Sequence, residues 1–334
     1  MQTRSTGYPR WLSISLRSVL VVVFLPCLLS GQTVWDNGNG NNRWGTANNW
    51  NPNAVPISST DVQFNATDDN ATVSNIELRG DQVANSITFN NVDDNFSIIN
   101  GTGSRTLTLT SGDITRTAGS SGTQSLAMTT LTLGGDAAMN IAGTGSLTIS
   151  SVINETGGAR SLTKSGAGEL ILSAANTFSG GVTVSAGTLT LSNASALGTG
   201  NVTLAGGTLK LSGVSVSVGT LSVTGNSTID FSGVSTLNLT NFSISGGVTL
   251  NIINWTAASD FFYTTNWTGA TKDVMGSAPM NQITFSGFTA AETGWDGWDN
   301  QIRPRVPEPS TYGVMFLGGL VGFFGWRRRR HRRV

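Results

Sequence analysis

Five carboxylates spread through the middle of the chain, Asp113, Asp136, Glu155, Glu169 and Asp230, are the residues whose type could do chemistry. Two such groups brought about 5 to 10 Å apart can hydrolyse a glycosidic bond, one as acid and the other as base or nucleophile. Their spacing marks out no pair. The only histidine, His331, lies in a basic tail, and the one cysteine, Cys27, lies inside an apolar run, so neither a histidine base nor an intramolecular disulfide serves the centre. Catalysis and a cofactor are therefore not expected. Asp36, Asp68 with Asp69, and Asp93 with Asp94 carry the hard oxygens that calcium prefers, but none completes a ligand loop. Asp36-Asn37-Gly38-Asn39 comes nearest and lacks the following glutamate, so these are expected to be surface turns and no metal site is expected.

Stacking on sugar rings is the other chemistry within reach. Trp35, Trp44 and Trp50 lie near one end of the chain, Trp255, Trp267, Trp295 and Trp298 near the other, and none lies between. Trp44 and Trp298 are the candidate glycan contacts. The competing role is to plug the ends of a stack of coils, whose first and last members have no neighbour to cover their apolar face. Confinement to both ends favours the plug.

The elements that must position these residues are short strands. From about Gly101 to Leu250 the sequence alternates apolar and hydroxyl residues in runs such as T-L-T-L-T (106 to 110), S-L-T-I-S (146 to 150), E-L-I-L-S (169 to 173) and T-L-K-L-S (208 to 212), separated by Gly-rich corners. Gly187 to Ser192 and Gly207 to Ser212 are near copies, twenty residues apart, and self-similarity at such a period signals a solenoid. Coils of about twenty residues with strands about 4.8 Å apart predict about seven coils and a rod of about 35 Å. Gly-rich pieces such as G-T-G-S have no strand-loop-helix context and are expected to be corners, not phosphate sites. Leu162 to Leu191, L-T-K-S-G-A-G-E-L-I-L-S-A-A-N-T-F-S-G-G-V-T-V-S-A-G-T-L-T-L, resembles the autotransporter-associated β-strand repeat, which implies a right-handed parallel β-helix at the cell surface. The single short hydrophobic run that ends the chain is not a barrel, so self-transport through one is not implied.

Charge separates the chain into parts with different fates. Of 19 Lys and Arg, three precede the first apolar run and six follow the last, while all 19 acids lie between; the centre is left with ten basic residues and a net charge of −9. Nucleic acid is thereby disfavoured as a partner, because phosphate binding needs clustered cations. Arg4, Arg10 and Arg17, the apolar stretch Leu16 to Leu29, and the small residues Ser30 and Gly31 have the order of a secretory signal. Leu25-Pro26-Cys27 lacks the small residue of a lipidation site, and Cys27 is taken as apolar filler.

At the other end Val306-Pro307-Glu308-Pro309-Ser310-Thr311 precedes an apolar run, Tyr312 to Trp326, and then Arg327, Arg328, Arg329, Arg330, His331, Arg332 and Arg333. An apolar run can enter a bilayer, and the arginines act as a stop-transfer block that keeps the tail cytoplasmic. The three parts in this order are similar to the PEP-CTERM sorting signal of Gram-negative bacteria that make extracellular polymer, and Pro307, Glu308 and Pro309 match its defining tripeptide. That resemblance implies an exosortase as processing partner, a transient hold on the inner membrane, and delivery to the cell surface or extracellular matrix, with extracellular polysaccharide as a further possible partner.

The expected architecture is all-β: a parallel β-helix with capping strands, a signal segment and one short C-terminal transmembrane helix. Its parts are a signal over 1–31, a Trp/Asn/Gly-rich β cap over 32–100, repeats over 101–250, a second β cap over 251–303 and a sorting and anchor segment over 304–334. Gln301 to Pro309, with three prolines, is expected to be a stiff linker holding the rod off the membrane. The function expected is structural, with a glycan-binding or glycan-cleaving module as the alternative.

Overall fold

The computed structural model describes residues 31–65, 75–90, 92 and 95–305, in one compact unit that begins at Gly31. The sorting motif, the arginine block, the two apolar runs, Cys27, Asp68, Asp69, Asp93 and Asp94 lie outside the described residues. Among those described there is no α-helix, and no helix long and apolar enough to cross a membrane.

Alternation decides the fold locally. In Thr60–Asn65 the side chains of Val62 and Phe64 are buried while Asp61 and Gln63 lie half-exposed, and the same rhythm recurs from strand to strand. A strand that buries every second residue needs a neighbour in register, and the next coil supplies it. The result is a parallel β-solenoid with a 12-stranded first sheet, a 10-stranded second sheet and a 4-stranded third sheet. Each coil places one strand in the second sheet, where Leu147, Leu170, Leu189, Leu209, Ile229, Ile252 and Phe285 stack in direct register as one buried column. The near copies sit one above the other, Leu189 on Leu209 and Leu191 on Leu211, as the twenty-residue offset requires.

The coils are not uniform. Val62 pairs with Ile87, 25 residues on, whereas Leu162 pairs with Val182, 20 residues on. The longer coils carry three strands; the third sheet ends at Val152–Glu155, and later coils cross that side as loops or as extensions of the first sheet. Ala174 to Ser179 is not a strand, yet Asn176 and Phe178 are buried between exposed neighbours.

The ladder also runs beyond the expected repeat segment. Parallel pairing starts at Gly31 with Thr60, so most of 32–100 is already coil, and Leu250–Ile253, Phe261–Trp267 and Ile283–Phe285 belong to the ladder as well, giving more than the seven coils expected from 101–250. The caps are smaller and more specific. At the N-terminal end Trp50–Asn51 runs antiparallel to Val34–Trp35, and the Trp44 N–H donates to the Glu77 carbonyl at 3.1 Å while the Glu77 N–H donates to Asn42 at 2.7 Å, covering an open edge. At the C-terminal end a hairpin of Thr293–Trp295 and Ile302–Pro304 closes the stack, with the Thr264 N–H donating to Asn300 at 3.0 Å. Ile302–Pro304 is thus folded into the cap, so the first residues of the expected linker belong to the folded body; the rest of it lies outside the described residues.

Candidate functional site

The five central carboxylates are all engaged between coils or at coil corners. Asp113 accepts the backbone N–H of Ala138 at 2.8 Å, and Asp136 that of Ser161 at 2.9 Å, each 25 residues on, which is one local coil. Asp81 does the same for Thr106 at 2.9 Å. Each satisfies a backbone N–H at or beside the start of a strand in the following coil. Hydrogen bonds from Ser161 lower the Asp136 pKa, and those from Ser179 lower that of Glu155. Glu155 accepts the Ser179 hydroxyl at 2.6 Å and the Arg160 N–H at 2.6 Å. Asp36 accepts the Gly38 N–H at 3.0 Å within its own turn. Among the described residues no three of His, Cys, Asp and Glu are grouped so as to hold a metal.

Glu169 and Asp230 do share a feature. Both line a groove of about 430 Å³ on the outer face of the second sheet, with Lys210, Thr188 and Thr208 between them and Gly168 and the corner Ala142 to Thr144 along one side. Thr188 and Thr208 also line an adjoining depression of about 250 Å³ that continues past Asn226 and Thr228 to Asn251, so the groove follows the coil axis. It is lined by hydroxyls, amides and charges of both signs. Glu169 accepts the Thr190 hydroxyl at 2.6 Å and Asp230 accepts the Asn254 amide at 2.7 Å. Such a surface can meet a polar chain such as a polysaccharide through hydrogen bonds.

Two cations are buried where alternation puts core residues. Lys164 stands in register with Met139 and Val184, is fully buried, and donates to the carbonyls of Ser165 and Gly166 at 2.8 Å each and of Ala186 at 3.1 Å. An ammonium has three donors and here finds three acceptors, which holds one coil corner to the next. Burial pushes its pKa down to about 8. Arg116, in register with Phe89 and Ile141, is also fully buried; its Nε donates to Gln124 at 2.7 Å and its guanidinium reaches the carbonyls of Gly145, at 3.1 Å, and Gly122. The runs L-T-K-S and I-T-R already placed both side chains inward, and that was the signal for this pair of corner clamps.

The tryptophans divide. Trp35, Trp44 and Trp50 are buried against one another and Phe64, with ring centroids 4.8 Å apart for Trp35 and Trp50 and 4.9 Å for Trp44 and Trp50. Trp44 is 0% exposed, so its expected role as a glycan contact is corrected: it has no face to offer a sugar. Trp267 and Trp295 plug the other end. Trp298 is 96% exposed at the tip of the closing hairpin.

Comparison with known families gives two local matches. Residues 162–191 match the passenger-associated-transport-repeat, and residues 305–330 match the PEP-CTERM protein-sorting motif. The first covers the first shortened coil and the two strands that open the next; the second begins at the last described residue. No curated protein and no solved structure matches the chain. The sorting motif implies export to the cell envelope or surface, and on a β-solenoid body it describes a secreted surface β-helix protein.

Proposed function

We propose that this secreted solenoid is a structural rod of the bacterial envelope or extracellular matrix, held briefly in the inner membrane by Tyr312 to Trp326 and released when an exosortase cuts near Pro307-Glu308-Pro309. The observation that carries the reading is the junction: the last paired strand, Ile302–Pro304, closes the solenoid, and the sorting match begins at residue 305. A complete folded body thus stands directly on the segment that addresses it. Tyr312 to Trp326 would span about 22 Å as a helix against a hydrocarbon core of about 30 Å, a short span suited to a temporary hold. The chain is the substrate of processing and supplies no catalytic group of its own. Replacing Pro307 and Pro309 by Ala in the producing cell should leave an unprocessed species in the membrane fraction; processing identical to wild type would refute the sorting role.

The groove favours a second reading, in which the rod also binds polysaccharide along its second sheet. Glu169, Lys210 and Asp230 would contact the polymer, and the hydroxyl-lined floor would follow it from coil to coil. Retention of the protein on cell-derived polysaccharide, lost in Lys210→Ala with unchanged thermal stability, would support this reading. Retention that Lys210→Ala does not alter would remove it.

A further inference from the structure

Among the described residues, Trp298 is the one large apolar side chain left almost wholly in solvent at the closing end of the solenoid, and the turn that presents it is tightly bound to the chain exit. The Trp298 backbone N–H donates to Asp296 at 2.9 Å. Asp296 pairs with Arg303 at 2.5 Å and with Arg305 at 2.7 Å, and Arg303 pairs with Asp299 at 3.2 Å. Asp273 accepts the Gly297 N–H at 2.9 Å and pairs with Arg305 at 3.2 Å. Arg305 is the last described residue, so the position of Trp298 is fixed relative to the point where the sorting segment leaves. Only residues 306–311 separate that point from the apolar run, and six extended residues reach at most about 20 Å.

We infer that Trp298 seats in the lipid headgroup region while the chain is held in the membrane, orienting the rod at the bilayer; this rests on the membrane-hold reading of residues 312–326. Indole is amphipathic and gathers at the boundary between headgroups and hydrocarbon. A sugar platform would need free polar groups beside the ring, whereas the acids and arginines around Trp298 are spent on one another. Asp273, Asp296 and Asp299 against Lys272, Arg303 and Arg305 leave the patch without net charge, so the contact is expected to respond little to salt or to anionic lipid.

The test uses the full chain reconstituted in phosphatidylcholine vesicles with and without brominated acyl chains, comparing wild type with Trp298→Ala. The brominated lipid should quench a larger share of emission in wild type than in the variant, and 0.5 M salt should leave that difference in place. Equal quenching in the two proteins, or a Trp298 emission that responds to soluble cell-derived polysaccharide and not to brominated lipid, would overturn the inference. Alkaline extraction of the same vesicles separates the two ideas: a chain that is stripped off defeats the membrane hold itself, while a retained chain with equal quenching defeats only the seating of Trp298. Because Trp298 is 96% exposed, unchanged melting of the variant is expected and serves as the folding control.

Discussion

The Asn176 side-chain oxygen accepts the backbone N–H of Ile153 at 2.8 Å, on the last strand of the third sheet. The same amide donates to the Ala196 carbonyl at 2.6 Å, one coil further on. Where the third sheet stops, Asn176, only 5% exposed, meets the buried Ile153 N–H with its side chain, while the Thr177 N–H donates to the Ile153 carbonyl at 2.9 Å. This side chain is what lets the coil shorten from 25 to 20 residues without an orphaned donor.

Asn176→Ala should therefore cost about 2 to 4 kcal/mol, since it strands a buried N–H on one side and a carbonyl on the other. Asn176→Asp keeps the acceptor for Ile153 but sets an oxygen against the Ala196 carbonyl, and should cost at least as much. Urea midpoints decide; a wild-type midpoint for either variant would contradict the role.

Replacing a corner glycine tests the stacking. A Cβ at Gly143 would collide with the backbone oxygens of Ser120 and Thr117 in the preceding coil, whereas one at Gly246 would meet nothing within 4 Å. Gly143→Ala is expected to lose about 1 to 3 kcal/mol or more, and Gly246→Ala to change stability by less than about 1 kcal/mol. Equal effects in thermal denaturation would mean that the coils pack less closely than the approach at Gly143 requires.

Much of this was legible from residue patterns, and the failures have physical causes. Two-residue alternation identified the strands and the inward column, and the twenty-residue copy predicted the Leu189 to Leu209 register. The ends were plugged by tryptophan as their distribution suggested, although Trp298 stayed out. The greater length of the earlier coils was missed, although T-L-T-L at 106–109 recurs at 130–133 in direct register, because the other strands of these coils differ in sequence from one coil to the next. Nothing in the local sequence singles out Asn176, because its partners lie 23 and 20 residues away. Glu169 and Asp230 line one groove only because shortened coils bring residues 61 positions apart onto the same sheet face, three strands apart.

Lys164 should give the stability curve an alkaline slope. Its folded pKa of about 8 lies below the ordinary 10.5, so between those values the unfolded chain holds a proton that the folded chain has released. Unfolding free energy then rises with pH across that window, by on the order of 3 kcal/mol at most. Lys164→Met, which continues the column from Met139, removes this rise. Denaturant midpoints at pH 8 and pH 10.5 that shift equally in both proteins would show that the lysine keeps an ordinary pKa.

Asp296 governs the acid side of the closing hairpin. The Trp298 backbone N–H, together with Arg305 and Arg303, holds its pKa down to about 2. Because the folded value lies below the ordinary 3.8, its contribution is complete above about pH 4 and is lost as pH falls through 2. Acid titration followed by the indole resonance of Trp298 should show a midpoint near 2 that moves toward 3.8 when Arg303 and Arg305 are both replaced by Ala. An unmoved midpoint would contradict the pairing.

The most direct test of the structural-rod reading is the intact mass of the protein recovered from outside the producing cell. Export through the sorting segment with exosortase processing predicts a species that retains the solenoid through Arg305 and ends near Pro309, without the apolar run and without Arg327 to Arg333. Recovery of a released species that still carries the arginine block would contradict it.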